Sequence, residues 1–178
     1  MPFTNPKTLW LTGLSAAGKT TLAHALCAQW QADGVVCHLL DGDEVRRELC
    51  ADLGFSRADR CENIRRVAER CRELNAEGLW VAAALISPYI ADRHMAREII
   101  GPDRFVEIYM STSLAVCEAR DPKGLYRKAR AGEIPAFTGV SDPYEAPLAP
   151  DLCLDTARHS VEACRQQVFA WLAERPFS

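Results

Sequence analysis

Apolar and polar positions along this chain follow two rhythms that keep trading places. Lys7–Thr12 is a short β-rich run that meets a glycine loop, and Val35–Leu40, Leu79–Ile86, Phe105–Met110 and Leu152–Asp155 are further apolar runs of strand length. Between them the spacing turns helical. Leu22, Ala25 and Leu26 mark one helix within Thr21–Trp30, and Ile64, Val67, Ala68, Cys71 and Leu74 mark a long second one. Arg93–Ile100, Leu114–Arg120 and a C-terminal segment carrying Val161, Cys164, Val168 and Leu172 complete the set. Strands that read as near-continuous apolar stretches are covered on both faces, so the alternation predicts an α/β fold: a parallel sheet with helices on both sides. Ligands in such folds sit beyond the carboxyl ends of the strands. A polar stretch punctuated by Gly and Pro, 121–150, reads as a lid inserted into a single domain spanning 1–178.

Composition narrows the function classes. With 48% hydrophobic and 25% charged residues, the chain has enough apolar material for a core, which excludes disorder. The 21 Lys and Arg against 24 Asp and Glu leave a net charge of -3, so a nucleic-acid partner is not expected. No apolar run reaches the roughly 18 residues a membrane span needs, and Met1–Pro6 is too short and polar for a leader. A soluble, cytoplasmic protein is expected. The eight cysteines contain no C-x-x-C pair and read as small core hydrophobes rather than a disulfide framework or a zinc site.

The chemistry is expected where strands stop. The first strand runs into Gly13-Leu14-Ser15-Ala16-Ala17-Gly18-Lys19-Thr20, followed by Thr21, which satisfies G-x-x-x-x-G-K-[ST]. The glycines let the backbone curl so that successive N–H groups and a helix start face a phosphate. Lys19 adds a point charge toward the β- and γ-phosphates, and the Thr20 hydroxyl is placed for Mg²⁺. The second strand ends in Asp41-Gly42-Asp43, with Arg46 beyond it; these carboxylates suit a metal or an attacking hydroxyl, or equally a helix N-cap. Arg60 and Asn63 share a helix face away from the apolar seam, whereas Arg65, Arg66, Arg70 and Arg72 read as a solvated face paired with Glu62, Glu69 and Glu73. The third strand ends in Ile86-Ser87-Pro88; Ser87 has no adjoining base, so it reads as a positional contact rather than a nucleophile. Arg120, Lys123 and Leu125 open the inserted stretch, and Phe137 in its polar part suits stacking on a flat ring.

Taken in order, these motifs resemble the adenylylsulfate kinase (APS kinase) family of P-loop NTPase-type enzymes. The resemblance runs from Leu9 to Thr156 and rests on W-L-T-G-L-S-x-x-G-K-T-T-L, L-D-G-D-x-V-R, D-L-G-F-S-x-x-D-R-x-E-N-I-R-R, I-S-P-Y, R-D-P-K-G-L-Y, A-G-E-I-x-x-F-T-G and D-P-Y-E-A-P. It implies transfer of the ATP γ-phosphoryl to the 3′-hydroxyl of adenylyl sulfate (APS), with Mg²⁺, to give PAPS and ADP. It places Gly13–Thr21 and Arg120 at ATP, Thr20 and Asp43 at the metal, and Asp41 in support. Arg46, Arg60 and Asn63 fall on the phosphosulfate and ribose, Phe55 and Phe137 around the adenine, and Ile86, Ser87, Lys123 and Leu125 along the same pocket. The serine matching Ser87 is traditionally described in the family as a phosphoserine intermediate; in-line transfer is the reading favoured for this chain. The resemblance also implies a homodimer and a functional link to ATP sulfurylase. Ala16-Ala17 stand where the family usually has Gly-Ser, Glu44 where Asn is common, and Pro135-Ala136 where Lys-Gly is usual. Two other readings compete: a paralogous kinase with another acceptor, and a catalytically quiet nucleotide sensor, against which Lys19, Thr20 and Asp43 argue.

Overall fold

The computed structural model describes residues 5–175; Met1–Thr4, within the stretch read above as no leader, lie outside them. Five strands, β1 (Thr8–Thr12), β2 (Cys37–Asp41), β3 (Trp80–Ala84), β4 (Phe105–Met110) and β5 (Leu152–Leu154), form one parallel sheet in the order β2-β3-β1-β4-β5. The connecting helices are α1 (Lys19–Ala32), α2 (Gly42–Arg47), α3 (Arg57–Ala76), α4 (Ile90–Ile100), α5 (Leu114–Arg120), α6 (Leu125–Arg130) and α7 (Val161–Ala173).

β1 lies at the centre, with Thr8 opposite Val81 of β3 on one side and Phe105 of β4 on the other. Covered on both faces, it has every residue buried, which is why its sequence is nearly continuously apolar. Alternation then sorts its side chains. Leu9 and Leu11 join Leu22 and Leu26 of α1 and Val168 and Leu172 of α7 in one core. Trp10 points the other way, into a second core with Val67 and Cys71 of α3 and Ala96 and Ile100 of α4. β3 divides in the same manner, Trp80, Ala82 and Ala84 to the first core and Val81 and Ala83 to the second. Each fully buried Leu or Val stabilises the fold by roughly 1.5–3 kcal/mol, so the sheet is held rigidly and its strand ends are fixed points.

Several boundaries differ from the sequence reading. β2 begins at Cys37, not Val35, because it is an edge strand and Val36 projects into solvent with 64% exposure. β3 stops at Ala84, and Leu85–Ser87 leave the ladder to form a loop. The short helices α2 and α6 have too few residues to show periodicity; α2 was signalled only by the N-cap reading of Asp41-Gly42-Asp43, and both are set by carboxylates that accept from their leading amides. Asp41 caps α2, and the Asp121 carboxylate accepts from the amides of Tyr126 and Arg127 at the start of α6. The cysteines divide. Cys50, Cys71, Cys117 and Cys164 are buried as expected, and burial pushes the Cys71 thiol up to about 12. Cys153 is exposed, and Cys27 of α1 is joined by a disulfide to Cys37 of β2 across Cα atoms 5.4 Å apart, which corrects the reading of that pair as packing thiols. Among the described residues no helix is long and apolar enough to cross a membrane.

Candidate active site

The carboxyl ends of β1, β2 and β3 open onto a cleft of about 630 Å³. Gly13 leaves β1 where a side chain has no room: a Cβ there would sit 2.8 Å from the Met110 carbonyl oxygen. The loop then passes through Ala16 (φ 62) and Gly18 (φ 94) into α1. α1 starts with no side-chain cap and no acidic residue in its first turn, so its leading amides and the positive end of its dipole are available to an anion. Ser15, Ala16, Gly18, Lys19, Thr20 and Thr21 line the cleft. Gly13, Leu14 and Ala17 do not: Leu14 borders a separate shallow cavity beside Tyr144, and Ala17 is fully buried with its carbonyl held by the Thr156 hydroxyl at 2.9 Å.

Lys19 is 8% exposed and donates to the carbonyl oxygens of Gly13 (2.9 Å) and Leu14 (2.6 Å). Burial lowers its ammonium from 10.5 to about 8; Cys117, Asp41 and Asp43 oppose that shift and Lys123 adds to it. Asp41 does two jobs at once. One oxygen accepts from the Asp43 amide at 3.0 Å as the α2 cap, and the other accepts from the Thr20 hydroxyl at 2.6 Å. The sequence placed Thr20 with Asp43 at a metal, and the geometry brings Asp41 to Thr20 while Asp43 forms an ion pair with Lys123 across the mouth of the cleft. Among the described residues there is no cluster of three or more His, Cys, Asp or Glu that could hold a metal alone. The donor set fits Mg²⁺ of another kind, which takes one or two protein oxygens and completes its shell with phosphate and water.

The opposite wall is cationic and aromatic. Arg46 donates to the Gly54 carbonyl at 2.6 Å and lies 4.7 Å from the Phe55 ring centroid. Arg60 reaches across to the Ala136 carbonyl (2.5 Å) and the Thr138 hydroxyl (3.1 Å). Phe55 is 65% exposed, whereas Phe137 rests edge-on against Tyr126 at 5.1 Å; both rings line the cleft. Asn63 is buried on that wall with its side-chain carbonyl oxygen unpartnered. Ile86, Ser87, Lys123 and Leu125 complete the lining. Ser87 has φ 40 and is 3% exposed, and its hydroxyl accepts from the Trp10 indole at 3.1 Å. Arg120 is at the other end, bonded to the Ala16 carbonyl and to both the hydroxyl and carbonyl of Thr156. The cleft therefore offers a phosphate cradle at its centre and a cation-and-ring wall at one end.

The family model for adenylylsulphate kinase matches residues 5–155, most of the chain. The chain belongs to the adenylylsulphate kinase family. It is 54% identical to the adenylyl-sulfate kinase of Vibrio cholerae, over 96% of this chain and 79% of that relative, and 51% identical to that of Pseudomonas entomophila, over 96% and 82%. Its fold matches the Mycobacterium tuberculosis APS kinase CysC in complex with AMPPNP and APS with a TM-score of 0.91 and 43% identity, covering 94% of this chain and 98% of the other. A gluconokinase from Sinorhizobium meliloti, 16% identical with a TM-score of 0.61, shares the fold alone.

The solvated face of α3 also agrees with its sequence: Arg65 pairs with Glu62 and Glu69, and Arg70 with Glu73. Arg66 bridges Glu62 and also reaches Asp52, a partner the helical spacing could not show. Three residues that support this adenylylsulphate kinase site had no role read from the sequence, although Tyr126 closes the R-D-P-K-G-L-Y motif and Asp142 opens D-P-Y-E-A-P. Tyr126 donates its hydroxyl to the Ser15 carbonyl at 3.0 Å, and Thr156 braces the phosphate loop from behind. Asp142 takes the Tyr89 hydroxyl at 2.9 Å. The motifs marked Tyr126 and Asp142 without showing which backbone or side chain each would hold, and Thr156 had only its place after the last strand.

Proposed function

We propose that the chain transfers the γ-phosphoryl group of ATP to the 3′-hydroxyl of adenylyl sulfate, releasing ADP and PAPS. The observation that carries this is the juxtaposition in one cleft of an open helix start with buried Lys19 and a wall of Arg46, Arg60, Phe55 and Phe137. A nucleotide's phosphates suit the first, and an acceptor that is itself an aromatic, doubly anionic mixed anhydride suits the second.

In this reading the amides of Ser15, Ala16 and Gly18 to Thr21 and the Lys19 ammonium hold the phosphates of ATP, with Arg120 beside the base. Thr20 and Asp41 would hold Mg²⁺ directly or through its waters, and Asp43 at the mouth of the cleft would serve the acceptor hydroxyl. When bound, the ion neutralises charge on the transferring phosphates. Asp43 exchanges its Lys123 partner for the acceptor hydroxyl and orients it in line, and Lys123 turns to the phosphates. Arg46, Arg60 and Asn63 hold the phosphosulfate and ribose, with the rings of Phe55 and Phe137 on either side of the adenine. Ser87 positions the acceptor through its place in the loop and carries no phosphate, since its hydroxyl is already engaged by Trp10 and has no base against it. Residues 121–150 act as a lid, tied down by Arg60 at Ala136 and Thr138. The working form is a homodimer in the cytoplasm, linked in function to the sulfurylase that makes adenylyl sulfate.

A second reading, another small anionic acceptor, draws on one feature: Ala136 adopts φ 52 beside Pro135, a strained step at the base of the Phe137 wall. A panel of acceptors with Mg²⁺ and ATP, read by coupled ADP release, separates the two. Adenylyl sulfate is expected to support the highest kcat/KM. A nucleoside, sugar or other sulfate ester exceeding it would overturn the assignment.

A further inference from the structure

Arg93 has no place in the cleft. It sits on α4 behind the Ser87 loop, its side chain 2% exposed. Burying a guanidinium is costly unless it is paired and its donors satisfied, and each of its three nitrogens is bonded to a different segment. Nε donates to the Glu107 carboxylate of β4 at 2.9 Å. One terminal nitrogen donates to the Ser87 carbonyl at 2.7 Å, and the other to the Glu145 carbonyl at 2.7 Å. The fork thus joins the rigid sheet, the acceptor loop after β3 and the far end of the inserted segment.

The contacts around it point the same way. The Glu145 amide donates to the Pro88 carbonyl at 2.8 Å, and the Glu145 carboxylate accepts from the Ile90 amide at 2.7 Å. The Tyr144 hydroxyl meets the Thr12 hydroxyl at 2.9 Å, and Thr12 in turn holds the Ile86 carbonyl at 2.8 Å. Ser87 is held in the left-handed region, φ 40, which is strained for an L-residue; such a conformation persists only where the surroundings impose it. The surroundings here are Arg93 on its carbonyl and Trp10 on its hydroxyl.

We infer that Arg93 is a positioning residue: it locks the Ile86–Pro88 loop and the 142–145 strap in register with the sheet, and so sets the acceptor half of the cleft while leaving the nucleotide half alone. Lysine cannot replace it, because one ammonium nitrogen cannot span three acceptors that a planar fork reaches from separate corners. The inference rests on the proposed acceptor reading. For Arg93→Lys, KM for adenylyl sulfate is expected to rise tenfold or more while KM for ATP stays within twofold. Amide hydrogen exchange is expected to quicken at Glu145 and its neighbours and not in the phosphate loop. If Arg93→Lys does not fold, Glu107→Asp shortens the anchor of Nε by one methylene and is expected to raise the acceptor KM three- to tenfold with the same selectivity. A folded variant with both KM values unchanged, or with both raised alike, would overturn the inference. Absence of acceptor-dependent turnover in the unaltered protein would overturn the functional reading instead, so the two failures are told apart.

Discussion

Raising the pH perturbs one group at the centre of the account without any substitution. Lys19 is buried, and its ammonium is lowered from 10.5 to about 8; at about 1.4 kcal/mol per tenfold, that is a penalty on the order of 3 kcal/mol against the charged form. Nucleotide phosphates restore a counter-charge, so binding favours the protonated amine. The free protein carries the ammonium below about pH 8 and loses it above. ATP affinity is therefore flat from about pH 6.5 to 7.5 and falls above 8, by up to about tenfold for each further pH unit. Binding at pH 8.5 takes up protons. Titration calorimetry of a non-hydrolysable ATP analogue with Mg²⁺, repeated in two buffers of different ionisation enthalpy, reads both effects. The stability sign is opposite: because the folded value lies below the unfolded one, this group's contribution to ligand-free stability grows as pH rises from about 8 toward 10.5. An affinity unchanged to pH 9.5 with no proton uptake would refute the reasoning.

Other consequences follow from single contacts. Asp41→Ala removes the α2 cap and the Thr20 partner together, so it should cost about 1 kcal/mol in urea unfolding and lower kcat steeply; Asp41→Asn should keep most of the stability and little of the turnover. Ser87→Ala leaves the buried Trp10 indole unpaired at about 1–3 kcal/mol, yet turnover should stay within tenfold and no label from γ-³²P-ATP should remain on the unaltered enzyme after quenching; a stoichiometric phosphoserine would contradict this. Lys123→Ala should change stability by less than about 1 kcal/mol, since both it and Asp43 are more than half exposed, while lowering kcat. Phe137→Ala should raise the acceptor KM with little change in that for ATP, measured by coupled ADP release.

The parts legible in the sequence were those governed by local rules. The phosphate loop is legible because its backbone path needs particular residue types in order, and the inner strands β1 and β3 because a doubly covered strand is apolar throughout; the edge strands β2 and β5 showed only as short apolar runs. The dual use of Asp41 was half legible: a carboxylate after a strand announces a cap or a metal contact, and only the fold shows Thr20 arriving within 2.6 Å. Arg93 was hidden for a different reason. It lies in I-A-D-R-H-M-A-R-E-I-I among polar residues that suggest a solvated face, and its burial comes from the strap folding over it 52 residues later. Thr156 and Tyr126 were missed likewise, because they act on the phosphate loop from 139 and 111 residues away. The Cys27–Cys37 pairing depended on the turn after α1 returning the chain alongside it, which spacing alone does not reveal.

The most direct test is the chemical identity of the product. Incubation with Mg²⁺, ATP and adenylyl sulfate, followed by ³¹P NMR and mass spectrometry, should show one new phosphomonoester on the ribose 3′ carbon with the sulfate anhydride intact and one ADP per product. Phosphate found elsewhere, or ATP consumed only to inorganic phosphate, would contradict the account.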